Sequence, residues 1–330
     1  MAVLGATPTR NLALELARVT EAAAMLAGRF MGRGDKEGAD QAAVNAMRLV
    51  LSTVDMNGII VIGEGEKDSA PMLFNGEKVG NGSEPDVDVA VDPIDGTRPL
   101  AFGRSNSLAT VAVAPRGTMF DPGPFLYMNK IAVGPEARGK INIEKSITEN
   151  LKAIAKAKGR AVEDLTTIIL DRPRHEEMIA EIRKAGARIR HISDGDVAAA
   201  LMTAWPDSGV DVLIGIGGTP EGVIAACALQ AMGGEIQGKL FARDEDELHR
   251  GNEAGYDFEK VLTMHDLVSS DDVFFAATGI TDGELLKGVH YYGNHITTDT
   301  LVVRGLTGTI RRIHATHSTD KLDNLSSIHY

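Results

Sequence analysis

The sequence predicts an α/β protein. Short apolar runs at 59–62, 87–91 and 108–114 stop at clusters of Gly, Pro and Asp, the mark of strands feeding tight turns. Beside them stand stretches whose apolar residues recur at helical spacing. Beyond about residue 145 strands and helices alternate, and that rhythm implies parallel strands joined by crossover helices.

The elements follow in order. Leu12, Leu16, Val19, Ala23, Leu26 and Phe30 make 11–31 an amphipathic helix. After the loop 32–38 a second helix starts near Asp40, with Val44, Met47, Leu51 and Val54 on one face, and Gly58 ends it. Strand 59–62 stops at Gly63-Glu64-Gly65-Glu66, and strand 87–91 at Asp92. Strand 108–114 turns at Pro115-Arg116-Gly117. The motif Ser146-Ile147-Thr148-Glu149 is a capping box that opens a helix to about Lys158. Strands 166–170, 188–192 and 210–214 then alternate with helices 175–185, 197–203 and 221–232. Functional residues of such an array collect at the carboxyl ends of its strands.

Size and charge narrow the class. A chain of 330 residues makes one large or two medium domains, and 43% hydrophobic with 24% charged residues is an ordinary globular composition. The rhythm divides it at about 145. A net charge of −12 argues against a nucleic-acid surface, so any phosphate site must be built locally from a few Arg or Lys. A single cysteine, Cys227, excludes an intrachain disulfide. The start does not resemble a signal peptide, no apolar run is long enough to span a membrane, and the expected location is the cytoplasm.

The chemistry is concentrated in Asp92-Pro93-Ile94-Asp95-Gly96-Thr97. Two carboxylates stand three residues apart at a strand end. Pro93 stiffens the turn and cannot continue a ladder, Gly96 lets the chain bend, and Thr97 offers a hydroxyl. Other carboxylates occupy comparable element ends: Asp40, Glu64, Glu221, and also Asp194 and Asp196. An all-oxygen donor set suits Mg²⁺ or Mn²⁺, and two such ions could hold a phosphate ester and activate a water. Each carboxylate taken alone reads better as a cap or a solvated turn. Arg172-Pro173-Arg174 follows strand 166–170 and suits either a phosphate or a basic helix start. Asp194-Gly195-Asp196 could simply cap a helix. In Gly215-Ile216-Gly217-Gly218-Thr219-Pro220, Pro220 stands where a dinucleotide fingerprint needs glycine, so Thr219 reads as an N-cap and Pro220 as the first helical residue.

The pair Gly63-Glu64-Gly65-Glu66 and Asp92-Pro93-Ile94-Asp95-Gly96-Thr97 resembles the lithium-sensitive, metal-dependent sugar and inositol phosphatases. With Gly32-Arg33-Gly34-Asp35-Lys36, Arg172-Pro173-Arg174-His175, Asp194-Gly195-Asp196-Val197 and the 215–222 segment, the chain is similar to class II fructose-1,6-bisphosphatases of the GlpX type, from about residue 10 to 315. The resemblance implies a layered α-β-α-β-α sandwich of the sugar/inositol phosphatase type, with a metal-binding N-terminal α+β domain over 1–145 and a substrate-binding α/β domain over 146–330. It implies hydrolysis of the 1-phosphate of fructose 1,6-bisphosphate, in gluconeogenesis, by a homo-oligomer (dimer or tetramer) with Mg²⁺ or Mn²⁺. Metal ligands would be Asp40, Glu64, Asp92, Asp95 and Glu221; many relatives carry Glu where this chain has Asp95. Thr97, held by Asp40, would orient and help deprotonate a water, with Asp68 in an outer role. Substrate would meet Lys36, Asp95, Gly96, Thr97, Tyr127, Arg172, Pro173, Arg174, Asp194, Gly195, Asp196 and Gly218. The rival readings are a bifunctional enzyme that also takes sedoheptulose 1,7-bisphosphate, an inositol phosphatase, and a non-catalytic sugar-phosphate sensor. Arg172 and Arg174 favour a bisphosphate, since a monophosphate needs no second anion site.

Overall fold

Alternation of buried side chains along the strands, and small residues on the helices facing them, stack this chain in layers. A computed structural model describes residues 11–65, 72–123 and 125–325, the side chains of 323–325 excepted. The helices are α1 (Ala13–Ala27), α2 (Lys36–Leu51), α3 (Thr97–Ala101), α4 (Ile147–Lys158), α5 (Glu176–Ala185), α6 (Asp196–Met202), α7 (Thr219–Met232), α8 (Glu245–Glu253), α9 (Met264–Leu267) and α10 (Thr319–Leu325). The strands are β1 (Asn57–Ile62), β2 (Lys78–Val79), β3 (Asp86–Asp95), β4 (Leu108–Pro115), β5 (Tyr127–Val133), β6 (Thr166–Leu170), β7 (Arg188–Ile192), β8 (Val212–Gly218), β9 (Glu235–Leu240), β10 (Phe274–Gly279), β11 (His290–Tyr291), β12 (His295–Arg304) and β13 (Thr309–Ser318).

The first sheet has the order β11-β12-β10-β4-β3-β1-β2, with β13 on β12, and the second has the order β7-β6-β8-β5-β9. Helices α1 and α2 cover one face of the first sheet, where Leu16, Met47, Val89, Val111 and Val302 meet. Helices α6 and α7 fill the space between the sheets, packing Leu201, Val223 and Leu229 against Ala90, Ala112 and Phe275 on one side and Met128, Ala132 and Leu213 on the other. Helices α4 and α5 close the outer face of the second sheet through Leu151, Ile154, Ile179 and Ile182. The expected α-β-α-β-α layering is the observed one. The sheets draw strands from both sides of residue 145: β5 belongs to the second sheet, and β10 to β13 return to the first.

Three local expectations change. Strand β3 does not stop at Val91 but runs on to Asp95. Its ladder with β1 ends at Ala90, and its register against β4 shifts between Asp92 and Asp95, so Pro93 sits in an irregular stretch where its missing N–H breaks no regular ladder. Strand β8 likewise continues through the glycines to Gly218, because β5 pairs with it antiparallel as far as Tyr127 opposite Gly218. Helix α7 therefore follows the strand directly, with Gly218 at the N-cap and Thr219 and Pro220 already helical. Helix α2 begins at Lys36, ahead of the expected start near Asp40, because the Asp35 carboxylate caps it by accepting from Gly38 N at 2.9 Å. The capping box of α4 forms as expected. Strands β7, β6 and β8 are parallel, and β5 is inserted antiparallel between β8 and β9. The amino end of β5 thus arrives at the same edge as the carboxyl ends of its parallel neighbours.

Under α1 lies a buried polar chain. Thr278 Oγ1 contacts the hydroxyls of Thr20 at 2.7 Å and Thr300 at 2.9 Å, and Thr300 faces Glu21. Burial pushes the Glu21 carboxyl up to about 7, against the opposing pull of Thr300, Thr298 and Arg18. A carboxyl raised in the folded state stabilises the fold most below its unfolded value and loses that contribution as pH rises through about 7. Glu21→Gln is therefore expected to raise the unfolding temperature at pH 8 and to change it little at pH 5, and equal shifts at both pH values would refute this reading of Glu21.

Candidate active site

Carboxyl ends of parallel strands, the amino end of β5 and the ends of β1 and β3 all open on one cavity of about 410 Å³. Its wall brings together Glu64, Asp92, Asp95, Gly96, Thr97, Tyr127, Arg172, Arg174, Asp194, Asp196, Gly218 and Glu221, residues that lie up to 157 positions apart between Glu64 and Glu221. Asp40 stands behind Thr97, whose Oγ1 reaches Asp40 Oδ1 at 3.5 Å and Ile94 O at 3.3 Å. Lys36, one turn earlier on α2, acts on Asp40 through its charge and otherwise lies over the Phe102 ring at 5.9 Å. Lys36, Pro173 and Gly195 are not in the cavity wall itself. Asp68 falls outside the described residues.

The carboxylates repel one another. Desolvation, then the charges of Asp40 and Glu221, push Glu64 up to about 7. Desolvation raises Asp40 to about 6, opposed by the Thr97 hydroxyl and Lys36. Asp92 and Asp95 are pushed well above the usual carboxylate range by burial first, with Glu221 adding to both and Asp95 also to Asp92. Glu221 is raised by burial, and the nearby Lys130 ammonium opposes that rise. Among the described residues no group of three such side chains already closes on a point as a metal cage does. They line the cavity instead, with all-oxygen donors and their charges only partly offset, which is the donor chemistry a hard divalent cation takes.

Asp95 has a second task. Its Oδ2 accepts from Ala198 N at 3.1 Å, so it caps α6 from another sheet. The residue at the N-cap position is Gly195, with φ of 93°, and it offers no side chain. Asp194 and Asp196 thus do not cap the helix, contrary to the simple alternative for them. Asp196 instead forms a buried ion pair with Lys130 at 2.7 Å. The glycines opposite are required by close approach: a Cβ on Gly218 would stand 1.6 Å from Glu221 Oε2, and one on Gly217 would stand 1.7 Å from Asp196 Oδ2.

The two arginines are braced on backbone. Arg174 donates through Nε and Nη2 to Ile216 O at 3.1 and 2.8 Å, and its guanidinium lies over the Tyr127 ring at 5.3 Å. Arg172 donates to Ser193 O at 2.6 Å and Asp171 O at 3.0 Å. Each keeps further N–H groups at the cavity wall.

Two residues escape a reading of the sequence. His175 is buried, with Nδ1 at 2.8 Å from Leu170 O and Nε2 accepting from Ile216 N at 2.8 Å. That fixes the Nδ1–H tautomer and ties the turn bearing Arg172 and Arg174 to β8. Lys130 lies in β5 on the face of Met128 and Ala132, and a lysine at a core-facing position was its signal.

The family model described as bacterial fructose-1,6-bisphosphatase, glpX-encoded, matches residues 10–317. The protein named fructose-1,6-bisphosphatase 1 class 2 of Escherichia coli (strain K12) is 48% identical over 333 aligned residues, covering 97% of this chain and 99% of that protein. The class 2 fructose-1,6-bisphosphatases of Escherichia coli O6:H1 and Shigella flexneri match with the same identity and coverage.

The close approach at Gly218 is testable. Gly218→Ala must displace the Glu221 carboxylate and is expected to weaken Mn²⁺ binding by about tenfold or more, the usual cost of disturbing the setting of a ligand. Titration with Mn²⁺ checks this, and unchanged affinity in the folded variant would remove Glu221 from the candidate ligands.

Proposed function

The chain belongs to the bacterial glpX-encoded fructose-1,6-bisphosphatase family, and we propose that it hydrolyses fructose 1,6-bisphosphate to fructose 6-phosphate and phosphate in gluconeogenesis. The observation that carries the reading is one cavity whose wall holds both a cluster of acidic groups and two arginines. A bisphosphate needs both: a reacting end whose charge is neutralised by cations, and an anion site for the phosphate that stays.

Asp40, Glu64, Asp92, Asp95 and Glu221 are the residues that would hold Mg²⁺ or Mn²⁺. Their raised protonation and mutual repulsion fit such an ion, which supplies charge neutralisation at the phosphoryl oxygens. The rest is work for the chain. Arg172 and Arg174 take the non-reacting phosphate through N–H groups not spent on carbonyls. Tyr127 stiffens Arg174, and Asp194 and Asp196 accept sugar hydroxyls. Thr97 Oγ1, backed by Asp40, orients the attacking water and passes its proton toward Asp40. The water oxygen forms a bond to phosphorus, the bond from phosphorus to the sugar C1 oxygen breaks, and that oxygen takes up a proton from solvent and leaves as the C1 hydroxyl of fructose 6-phosphate. No helix of the described residues is long and apolar enough to cross a membrane, and a cytoplasmic homo-oligomer (dimer or tetramer) is part of this proposal.

Phosphate release is the direct test, with fructose 1,6-bisphosphate, sedoheptulose 1,7-bisphosphate and inositol 1-phosphate each supplied with Mg²⁺ or Mn²⁺. Turnover of the fructose substrate is expected, abolished by a chelator. Thr97→Ala should lower kcat by roughly 10²-fold or more with KM little changed, the scale of a lost proton-transfer group. Folded protein inert toward all three substrates would leave the sugar-phosphate sensor as the better account.

The pH dependence has a fixed sign. Glu64 near 7 and Asp40 near 6 hold protons that a cation must displace, so Mn²⁺ affinity is expected to rise between pH 5.5 and 7.5 and then level off. A flat profile across that range would contradict the shared acidic cluster.

A further inference from the structure

Lys130 is 3% exposed and Asp196 is 6% exposed, so their ion pair is closed off from solvent. The ammonium lies 2.7 Å from Asp196 Oδ2 and donates to Gly218 O at 2.9 Å. Three elements therefore meet on one cation: β5, which starts with Tyr127; the first residue of α6; and the junction of β8 with α7, which carries Glu221. The second oxygen, Asp196 Oδ1, is buried and has no hydrogen-bond partner in the protein, while the residue forms part of the cavity wall.

We propose that Lys130 is a positioning residue for the sugar: it holds Asp196 in one orientation, so that Oδ1 is left to accept a hydroxyl of the bound substrate. This rests on the reading of the cavity as a sugar-bisphosphate site. Stability alone does not account for the arrangement, because a buried ion pair is matched or bettered by well-packed apolar residues. An unpaired buried oxygen is unfavourable until a donor arrives, so the pair is built at the expense of the fold. The donor class follows from the surroundings. A carboxylate oxygen left over from an ion pair accepts, so what completes it is a donor. A hydroxyl fits. Lysine suits the place better than arginine, since one compact ammonium must serve a carboxylate and a carbonyl at an angle that a planar guanidinium fork does not match.

The test is binding of fructose 6-phosphate and of inorganic phosphate, measured by calorimetry with Mn²⁺ present. It compares wild type, Lys130→Met, Asp196→Asn and the double variant, with unfolding temperatures recorded. Lys130→Met is expected to weaken fructose 6-phosphate by about tenfold or more while inorganic phosphate changes less than about twofold, and with fructose 1,6-bisphosphate KM should rise more than kcat falls. Asp196→Asn should do the same, and the double variant should be no weaker than the weaker single variant. Equal losses for both ligands, or losses that add, would overturn the assignment in favour of a structural pair. If Lys130→Met does not fold, the uncharged double variant carries the test and must show the same selective loss. Wild type that binds fructose 6-phosphate in this pattern but hydrolyses no bisphosphate would overturn the proposed reaction and support Lys130; wild type that binds no sugar phosphate would overturn both.

Discussion

Like charges held close together in a partly dehydrated cavity are the constraint on which this architecture turns. Glu64, Asp92, Asp95 and Glu221 each have their protonation pushed up, and in every case loss of hydration comes first, with neighbouring carboxylates adding to it. No single helix or strand could carry them without unfolding locally. The fold distributes them over β1, β3 and α7, elements whose own cores are large and apolar. The repulsion is then borne by packing between layers, and the middle layer of α6 and α7 is the part that both sheets share.

Compensation is also distributed, and it explains several oddities of geometry. Asp95 is relieved by the amide of Ala198 at the start of α6, where the helix dipole favours a negative group. Glu221 is relieved by Lys130, which reaches it from β5. These contacts cross the boundary between sheets, so the ends of α6 and α7 are aligned by the same groups that line the cavity. Fold and site are one arrangement here: moving α6 would uncap it and release Asp95 together.

Much of this was legible in the sequence. The strand at 87–91, the capping box at Ser146 and the alternation after 145 rest on local periodicity and turn chemistry, and all three stand in the structure. The convergence of Glu64, Asp92, Asp95, Asp194, Asp196 and Glu221 was also legible, because each follows a recognisable element end. Local rules failed where a partner strand decided the outcome. Residues 215–218 read as a glycine loop, yet β5 drew them into a ladder. Pro93 read as a strand stop, yet β3 continued once its neighbour β1 had ended. His175 and Lys130 were missed for the same reason: their partners, Ile216 in one case and Asp196 with Gly218 in the other, lie between 41 and 88 positions away.

The Asp at position 95 has two demands on its reach. Its carboxylate must reach Ala198 N while still facing Asp92 across the turn. Gly195 at the α6 N-cap gives no oxygen of its own, and with φ of 93° it brings the helix start close to β3. A Cβ at Gly195 would already stand 3.7 Å from Asp95 Oδ2. The short Asp arm is enough to reach Ala198 N from β3. An added methylene would push the carboxylate either into the helix start or out over the cavity, and only the second keeps it near the other acids. The residue at 95 and the placing of α6 against β3 are therefore coupled, because one carboxylate both caps the helix and lines the cavity.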